Sequence, residues 1–339
     1  MSEENPTDFP LRLGAIDIGS NALRLVVREY ADRDHSQRLA KERAAIRLGS
    51  EVFRSGRLDS ATADAAAAAL RGFGEQLASL GVERYRAVAT SALREAADGA
   101  EFALRVRDEA GVELEVIDGA EEARLVSLAV ADVLPIADGR WVLVDLGGGS
   151  VEVSLLETEE ITWTVSHRMG SVRLLAALDA AADCTARMRE LLDEYRTELR
   201  LERRLQGEPV RGFVAVGGNI EELARLFGSR SAETGGARTV SLAALARGIE
   251  ELADLSLQER MAGYKLRADR ADVIVPAARV YELLAQEVGA DSILVPDVGV
   301  RDGILLDLLS PPRHGRCDAD LFADNDESAA VEEKWKTRE

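Results

Sequence analysis

Apolar and polar positions along residues 11–310 alternate in the way that a fold of successive strands and helices requires. Short runs of aliphatic and β-branched residues, such as residues 84–90 and 212–218, predict buried strands. Stretches rich in alanine and leucine, such as residues 61–81, predict helices, and the charged, periodic stretch 172–205 predicts further helix. We therefore predict a fold of the α/β class.

The same patterns locate the other elements and divide the chain into two domains. They are a strand pair over 11–30 followed by a polar linker, helices over 91–111, 119–134, 240–256 and 274–288, a strand over 112–117 and a last helix after Gly303. A chain of 339 residues suits two domains better than one core. We predict an N-terminal extension (1–10), a first domain (11–130), a second domain (131–310) whose last helix, about 303–310, packs back on the first, and a largely disordered acidic tail (311–339).

One unusual pattern occurs twice, as GAIDIGSNALRLVV (14–27) and LVDLGGGSVEVSLL (143–156). In each copy an apolar strand ends in an aspartate, Asp17 or Asp145, and the glycines behind it allow a tight turn that lies close to a ligand. The free N–H groups of such turns can hold phosphate oxygens. Two ordinary tight hairpins are the alternative, but the duplication favours phosphate chemistry between two domains. A third glycine turn follows the strand at 212–218.

The charge balance limits the partners and the location. The 42 basic and 61 acidic residues give a net charge of −19, which argues against a nucleic-acid surface and against binding to anionic membranes. No apolar run reaches the roughly 18 residues of a membrane span, and the polar N-terminus is unlike a signal peptide. We therefore expect a cytoplasmic protein in which a divalent cation helps to bind any anionic substrate.

The metal-ligating residue types narrow the choice of cation. Cys184 and Cys317 are too few and too isolated for a disulfide framework or a zinc site. The three histidines, His35, His167 and His314, lie away from the glycine turns in the sequence, which disfavours a histidine metal site and a Ser/His/Asp triad. Oxygen ligands remain, and with them Mg²⁺ or Mn²⁺.

Arg94 is a candidate phosphate ligand. It falls in the first turn of a helix that Thr90 or Ser91 caps, where a cation opposes the helix dipole until an anion binds at the helix N-terminus. The alternative is a surface arginine paired with Glu95.

Several carboxylates are further candidates. Asp118 and Glu121 have the spacing of a capping box, which leaves Glu122 without a structural role other than complementing the helix dipole. Asp145 and Glu152 lie on the two arms of one hairpin and can converge on one cation. The glycine run 147–149 between them weakens a strand, so we expect close approach of a phosphate there.

These segments together resemble the exopolyphosphatase and guanosine pentaphosphate phosphohydrolase (Ppx/GppA) family, in its short two-domain form, within the actin-like ATPase superfamily. The resemblance rests on DIGSNALRL (17–25), RLGSEVFRSGRL (47–58), TSALREA (90–96), IDGAEEARL (117–125), DLGGGSVEV (145–153), MGSVRL (169–174), AVGGN (215–219), RADVI (270–274) and VRDGIL (300–305). It implies two actin-like (ribonuclease H-like) domains, each with a mixed, mainly five-stranded sheet flanked by helices, and a site in the interdomain cleft.

The resemblance also implies roles for individual residues. Glu122 aligns with the second glutamate of the GxEEAR block and would be the general base that activates water, while Arg94 would clamp a phosphate. Asp145 and Glu152 would hold Mg²⁺, with Asp17 contributing through water. The residues implied to cradle phosphate oxygens are Gly19, Ser20, Asn21, Gly147, Gly148, Gly149, Ser150, Gly217 and Gly218.

Four positions depart from the usual pattern of the family. Ala22 replaces a common serine, Val151 and Asn219 replace threonines, and Asp302 replaces a glutamate. Three of these positions lie in the phosphate loops, and a lost hydroxyl bond to a charged oxygen costs roughly 1.5 to 3 kcal/mol. We therefore expect the substrate affinity or preference to differ from that of typical members.

The leading hypothesis is a Mg²⁺-dependent phosphohydrolase that releases the terminal phosphate of inorganic polyphosphate. The same chemistry on guanosine pentaphosphate (pppGpp) is the close alternative. A regulatory protein that binds an alarmone or nucleotide, such as guanosine penta- or tetraphosphate, without hydrolysis is the third possibility, although the complete acid set argues against it. An actin-like kinase is disfavoured because the TSALR and GAEEARL segments have no role there. For assembly, a homodimer is the commonest form.

Overall fold

The described residues of the computed structural model are 9–205, 209–230, 234 and 236–310. The predicted tail, 311–339, and most of the N-terminal extension lie outside them. The strands of the described residues form two mixed sheets, one of five strands and one of seven, and helices flank both. The prediction of an α/β fold with two sheets is therefore confirmed.

The first unit of the molecule contains the five-stranded sheet. Its strands are β1 (Leu11–Ile18), β2 (Leu23–Tyr30), β3 (Ser36–Ala44), β4 (Arg84–Ala89) and β5 (Leu114–Val116). Its helices are α1 (Gly49–Ser55), α2 (Ser60–Ser79), α3 (Ser91–Glu95), α4 (Gly99–Ala110) and α5 (Gly119–Val133). The sequence prediction of a polar linker after residue 30 is wrong, because β3 and α1 form there.

The second unit contains the seven-stranded sheet. Its strands are β6 (Arg140–Leu146), β7 (Val151–Glu157), β8 (Glu160–His167), β9 (Val210–Val216), β10 (Ser229–Arg230), β11 (Arg238–Ser241) and β12 (Ser292–Val295). Its helices are α6 (Ser171–Asp179), α7 (Cys184–Leu199), α8 (Leu201–Arg204), α9 (Gly218–Phe227), α10 (Leu242–Ala253), α11 (Leu257–Tyr264), α12 (Ala268–Ala271), α13 (Ile274–Val288) and α14 (Val300–Leu309).

The two sheets repeat one topology. The first has the order β3-β2-β1-β4-β5, and the second contains β8-β7-β6-β9-β12 in the matching order. In both, a three-stranded antiparallel meander lies beside two parallel strands. The second sheet exceeds the expected five strands because β10 and β11 extend its edge. The internal duplication of the sequence is thus a duplication of architecture.

Two predicted helices are interrupted in the structure. Residues 91–111 form α3 and α4, which come so close that a Cβ at Gly99 would lie 2.2 Å from the carbonyl oxygen of Leu93. Residues 172–205 form α6, α7 and α8, and the carboxylate of Asp183 starts α7 by accepting the N–H of Ala186. Local periodicity continues through such breaks, so it does not reveal them.

Helix α14 connects the end of the second unit to the first. It packs against α5, β1 and β4. The contact is close, since a Cβ at Gly303 would lie 1.9 Å from the carbonyl oxygen of Leu125 in α5. Buried residues of both units, including Leu13, Leu143 and Ile304, form one apolar cluster around these two helices. The helix that carries Glu122 therefore lies between the sheets.

Candidate active site

A cleft between the two units contains most of the predicted site residues. Those that line it are Asp17, Gly19, Ser20, Asn21, Glu122, Asp145, Gly147, Gly148, Gly217 and Gly218. The others, Arg94, Gly149, Ser150 and Glu152, are not part of the lining. Residues as far apart in the sequence as Asp17 and Gly218 are brought together because both duplicated hairpins point their turns at this cleft.

The two glycine turns have matching geometry and contact each other. In the first, the N–H of Gly19 donates to the carbonyl of Ala22 (3.2 Å), and in the second the N–H of Gly147 donates to that of Ser150 (3.0 Å). A Cβ at Gly148 would lie only 2.9 Å from the Cβ of Ser20. The turns therefore meet face to face, and a side chain at the second turn would push them apart.

The third glycine turn needs glycine for its backbone conformation. Gly217 has a φ of 106°, a value that other residues rarely adopt. A Cβ there would also lie 2.8 Å from the carbonyl oxygen of Leu146. The turn leads directly into α9, so its backbone N–H groups stand at a helix N-terminus, where an anion is stabilised.

Three carboxylates form a buried cluster beside these turns. Oxygen atoms of Glu122, Asp145 and Glu152 all lie within 4.8 Å of one another. Asp145 and Glu152 face each other across the β6–β7 hairpin, and Glu122 comes from the first turn of α5. The side chain of Asp118 caps that helix by accepting the N–H of Glu121 (2.8 Å), which fixes the start of α5.

The protonation of the cluster reflects its burial. Burial raises the pKa of Glu122 well above its usual value, and the charges of Glu152 and Asp145 raise it further. Burial, followed by the charges of Glu152 and Asp17, raises the pKa of Asp145 to about 8, and burial also raises the pKa of Glu152. Three carboxylates this close cannot all ionise at neutral pH without a compensating positive charge.

A divalent cation fits this cluster. Ser166 donates to one carboxylate oxygen of Glu152 (2.7 Å), but the second oxygen of Glu152 and Oε2 of Glu122 have no hydrogen-bond partner among the described residues. Buried carboxylate oxygens without a partner are costly unless a cation binds them. Carboxylate oxygen is the ligand type that Mg²⁺ and Mn²⁺ prefer.

Arg94 is about one quarter exposed and lies beside Glu122 of the cluster. Its Nη1 donates to the carbonyl of Ile117 (2.6 Å) and lies 3.8 Å from Oε2 of Glu122. The alternative pairing with Glu95 is wrong, because the Glu95 carboxylate binds Arg168 and Arg173 of the second unit. The guanidinium of Arg94 favours the ionised form of Glu122.

Two arginines that line the cleft were not among the predicted site residues. Arg24 donates to Asp17 (3.1 Å), and it occupies in the β1–β2 hairpin the position that Glu152 occupies in β6–β7. That register was a usable signal. Arg270 is 4% exposed, donates to Asn219 (2.9 Å), and burial lowers its pKa to about 10. Only the fold brings Arg270 here from α12.

His167 is closer to the second glycine turn than its sequence position indicates. Strand β8 places it opposite Val151, the first residue of β7. Its ring packs against Tyr195 with a centroid separation of 5.1 Å, and burial lowers its pKa to about 4. His167 is therefore a neutral packing residue at physiological pH.

Comparison with known proteins agrees with this architecture. The profile of the Ppx/GppA phosphatase family matches residues 26–311. The chain is 30% identical over 311 residues to exopolyphosphatase 1 of Mycobacterium tuberculosis, covering 90% of each protein. It is 28% identical to a guanosine-5'-triphosphate,3'-diphosphate pyrophosphatase of Photobacterium profundum, covering 92% of this chain and 62% of that protein. The crystal structure of an exopolyphosphatase from Cytophaga hutchinsonii superimposes with a TM-score of 0.79 at 27% identity, covering 88% of this chain and 97% of that one.

The repeated sheets and the buried acid cluster between two glycine turns define a phosphate-handling protein of the actin-like fold. Within that class the chain belongs to the Ppx/GppA phosphatase family. Because this is a family of phosphatases, the chain is a hydrolase. Among the described residues, no helix combines the length and the apolar character that crossing a membrane requires.

Proposed function

We propose that this protein is an exopolyphosphatase, a divalent-metal-dependent hydrolase that releases the terminal phosphate of inorganic polyphosphate. The observation that carries the proposal is the cluster of Glu122, Asp145 and Glu152 beside the glycine turns of both repeats. Phosphoryl transfer needs positive charge on the phosphate oxygens and a positioned water, and this arrangement offers sites for both.

In this proposal Glu122 is the general base. Burial and the neighbouring carboxylates raise its pKa, which makes its carboxylate a stronger base, while Arg94 at 3.8 Å opposes that rise. Asp145 and Glu152 would hold Mg²⁺ or Mn²⁺, with Asp17 contributing through water, and the cation would supply charge stabilisation to the phosphate.

The glycine turns position the terminal phosphate. The N–H groups of Gly19 and Gly147 close their own turns, so we assign phosphate contacts to the groups that follow in each turn. These are Ser20 and Asn21 in the first, Gly148 to Ser150 in the second, and Gly217 and Gly218 in the third. The buried Arg270 lines the cleft, and Arg94 adds positive charge beside Glu122.

Hydrolysis of pppGpp is the second candidate. The pyrophosphatase of Photobacterium profundum favours it, but this chain spans only 62% of that protein, whereas it spans 90% of the mycobacterial exopolyphosphatase. Polyphosphate is therefore the first choice. The cytoplasmic location, the homodimer, the domain boundary near residue 130 and the lack of nucleic-acid and membrane partners stay predictions from the sequence.

The test is orthophosphate release from long-chain polyphosphate and from pppGpp with Mg²⁺, for wild type and Glu122→Gln. Loss of a general base lowers the rate by about 10²- to 10⁴-fold. Glu101→Gln is the matched control, because Glu101 also lies in the first turn of a helix but is exposed. A Glu122→Gln enzyme with the wild-type rate would refute the base role. Binding without release from either substrate would favour a regulatory protein.

A further inference from the structure

Two arginines each contact one of the two duplicated glycine turns and also cross the cleft. Arg47, between β3 and α1, donates from Nε to the side-chain oxygen of Asn21 in the first turn (2.7 Å). Its terminal nitrogens form a bidentate pair with Asp272 of the second unit (2.7 and 3.0 Å). The same guanidinium also donates to the carbonyl of Asp269 (3.1 Å).

Arg173 makes the equivalent contacts from the other side. It lies in α6 of the second unit and donates from Nε to the carbonyl of Gly149 in the second turn (2.9 Å). Its Nη2 donates to the carboxylate of Glu95 in the first unit (2.6 Å). The guanidinium also stacks on the ring of Phe53 in α1 at 4.0 Å from the centroid. Each turn is thus held by an arginine whose other end is bound across the cleft.

Further contacts strengthen each bridge. Beside Arg47, the side-chain amide of Asn21 donates to the carbonyl of Asp269 (3.0 Å), and Arg43 binds the carboxylate of Asp269. Beside Arg173, Arg168 also binds Glu95. Except for Arg168, which is 41% exposed, the paired side chains are about one fifth exposed, so solvent screens these pairs less than ordinary surface ion pairs.

We propose that Arg47 and Arg173 are positioning residues that couple the geometry of the glycine turns to closure of the cleft. When the units separate, each arginine loses its carboxylate and no longer holds its turn in place. When they close, both turns are fixed around the phosphate at once. The side chain of Asn21 then serves to sense closure, and only its backbone remains for the phosphate. This inference rests on the proposed phosphohydrolase function.

Asp272→Asn and Glu95→Gln break the bridges without removing the arginines from the turns. Both substitutions keep the size of the side chain and remove the charge. We expect each to lower kcat about tenfold, with a smaller change in KM, because the charge-assisted pair exists only in the closed state. The matched controls are Asp297→Asn and Glu109→Gln, whose ion pairs lie within a single unit. We expect wild-type kcat from both controls.

Arg47→Lys separates closure from turn geometry. Lysine keeps a cation for Asp272 but lacks the Nε that holds Asn21. We expect the cleft to stay closed and kcat to fall. If the contacts of Arg47 with Asn21 and with Asp272 depend on each other, combining Arg47→Lys with Asp272→Asn lowers kcat no further than the worse single variant. If the losses of kcat were additive and followed a fall in thermal stability, Arg47 would have a merely structural role.

Cleft closure is measured without turnover by the distance between two spin labels. Ala78 of α2 and Ala253 of α10 are exposed and lie in different units, so both can be replaced by cysteine after Cys184 and Cys317 are changed to serine. We expect a longer and broader distance distribution in the two bridge variants than in the wild type and the controls. Unchanged distributions in both bridge variants would overturn the inference.

A second readout that needs no turnover is calorimetric binding of inorganic phosphate with Mg²⁺. We expect about tenfold weaker binding in the bridge variants and in Arg47→Lys, and wild-type affinity in the controls. Equal affinity in all variants would also overturn the inference. If the wild type released no phosphate from either substrate, the proposed function would fail, and the label distances and phosphate affinities would still decide whether the turns are coupled to closure.

Discussion

Asp145→Asn should stabilise the metal-free protein while abolishing its activity. Asp145 is buried with Glu152 and Glu122, and its pKa is raised from 3.8 to about 8. At pH 7 the folded state therefore keeps a proton that the unfolded chain has released. Between pH 3.8 and pH 7, this difference in proton binding lowers the free energy of unfolding by about 4 kcal/mol. Removing the charge should recover about 2 to 4 kcal/mol.

The sign of the pH dependence follows from the raised pKa. The contribution of Asp145 to stability is complete below pH 3.8 and is lost as the pH rises toward 8. The stability difference between Asp145→Asn and wild type should therefore grow between pH 4 and pH 8 and then level off. A bound cation removes the repulsion, so Mg²⁺ should stabilise the wild type much more than the variant.

Urea unfolding followed by circular dichroism, in chelator and in excess Mg²⁺, measures all of these differences. Asp132→Asn is the matched control, because Asp132 is exposed on α5 and its change should leave stability within about 0.5 kcal/mol. A variant that is less stable than wild type in chelator at pH 7, or a stability gain that does not vary with pH, would refute the electrostatic account of the cluster.

Three further predictions concern the elements around the site. Gly303→Ala should destabilise the fold by about 1 to 3 kcal/mol in thermal unfolding, because a Cβ would meet the Leu125 carbonyl at 1.9 Å. The control Gly263→Ala, at a position with open space around it, should not destabilise the fold. Equal effects of the two substitutions would contradict the packing argument. Asp118→Ala should cost about 1 kcal/mol through the lost helix cap, and an unchanged melting temperature would contradict this. Arg270→Gln should raise KM for polyphosphate at least tenfold, and an unchanged KM would exclude a phosphate contact.

Much of the fold was accessible from local sequence patterns. The strands β1, β4, β6 and β9 are apolar runs of the length that strands have, and the aspartates at the ends of β1 and β6 mark the turns. The start of α5 was also predictable, since the Asp118 cap depends on residues three positions apart. Such features follow from side-chain preferences within a few residues, which the sequence records directly.

The breaks within helical stretches were not accessible in this way. The interruption between α3 and α4 depends on how closely Gly99 approaches Leu93 once both helices pack, and helical periodicity is the same on either side of it. Arg24 differs from these breaks, because the duplicated hairpin offered a signal for it. The register pairs Arg24 with Asp17 as it pairs Glu152 with Asp145.

The sequence by itself determined the α/β class, the duplicated glycine turns and the acidic residues at their edges, because each of these depends on neighbours in the chain. Only the tertiary structure decided which residues meet across the cleft. Arg47 and Asp272 are 225 positions apart, and Arg173 and Glu95 are 78 apart. No local pattern encodes such a pair, because its partners are chosen by the packing of two units around α5 and α14. The same packing raises the pKa of Asp145 and Glu122, since burial and neighbouring charge exist only in the folded chain.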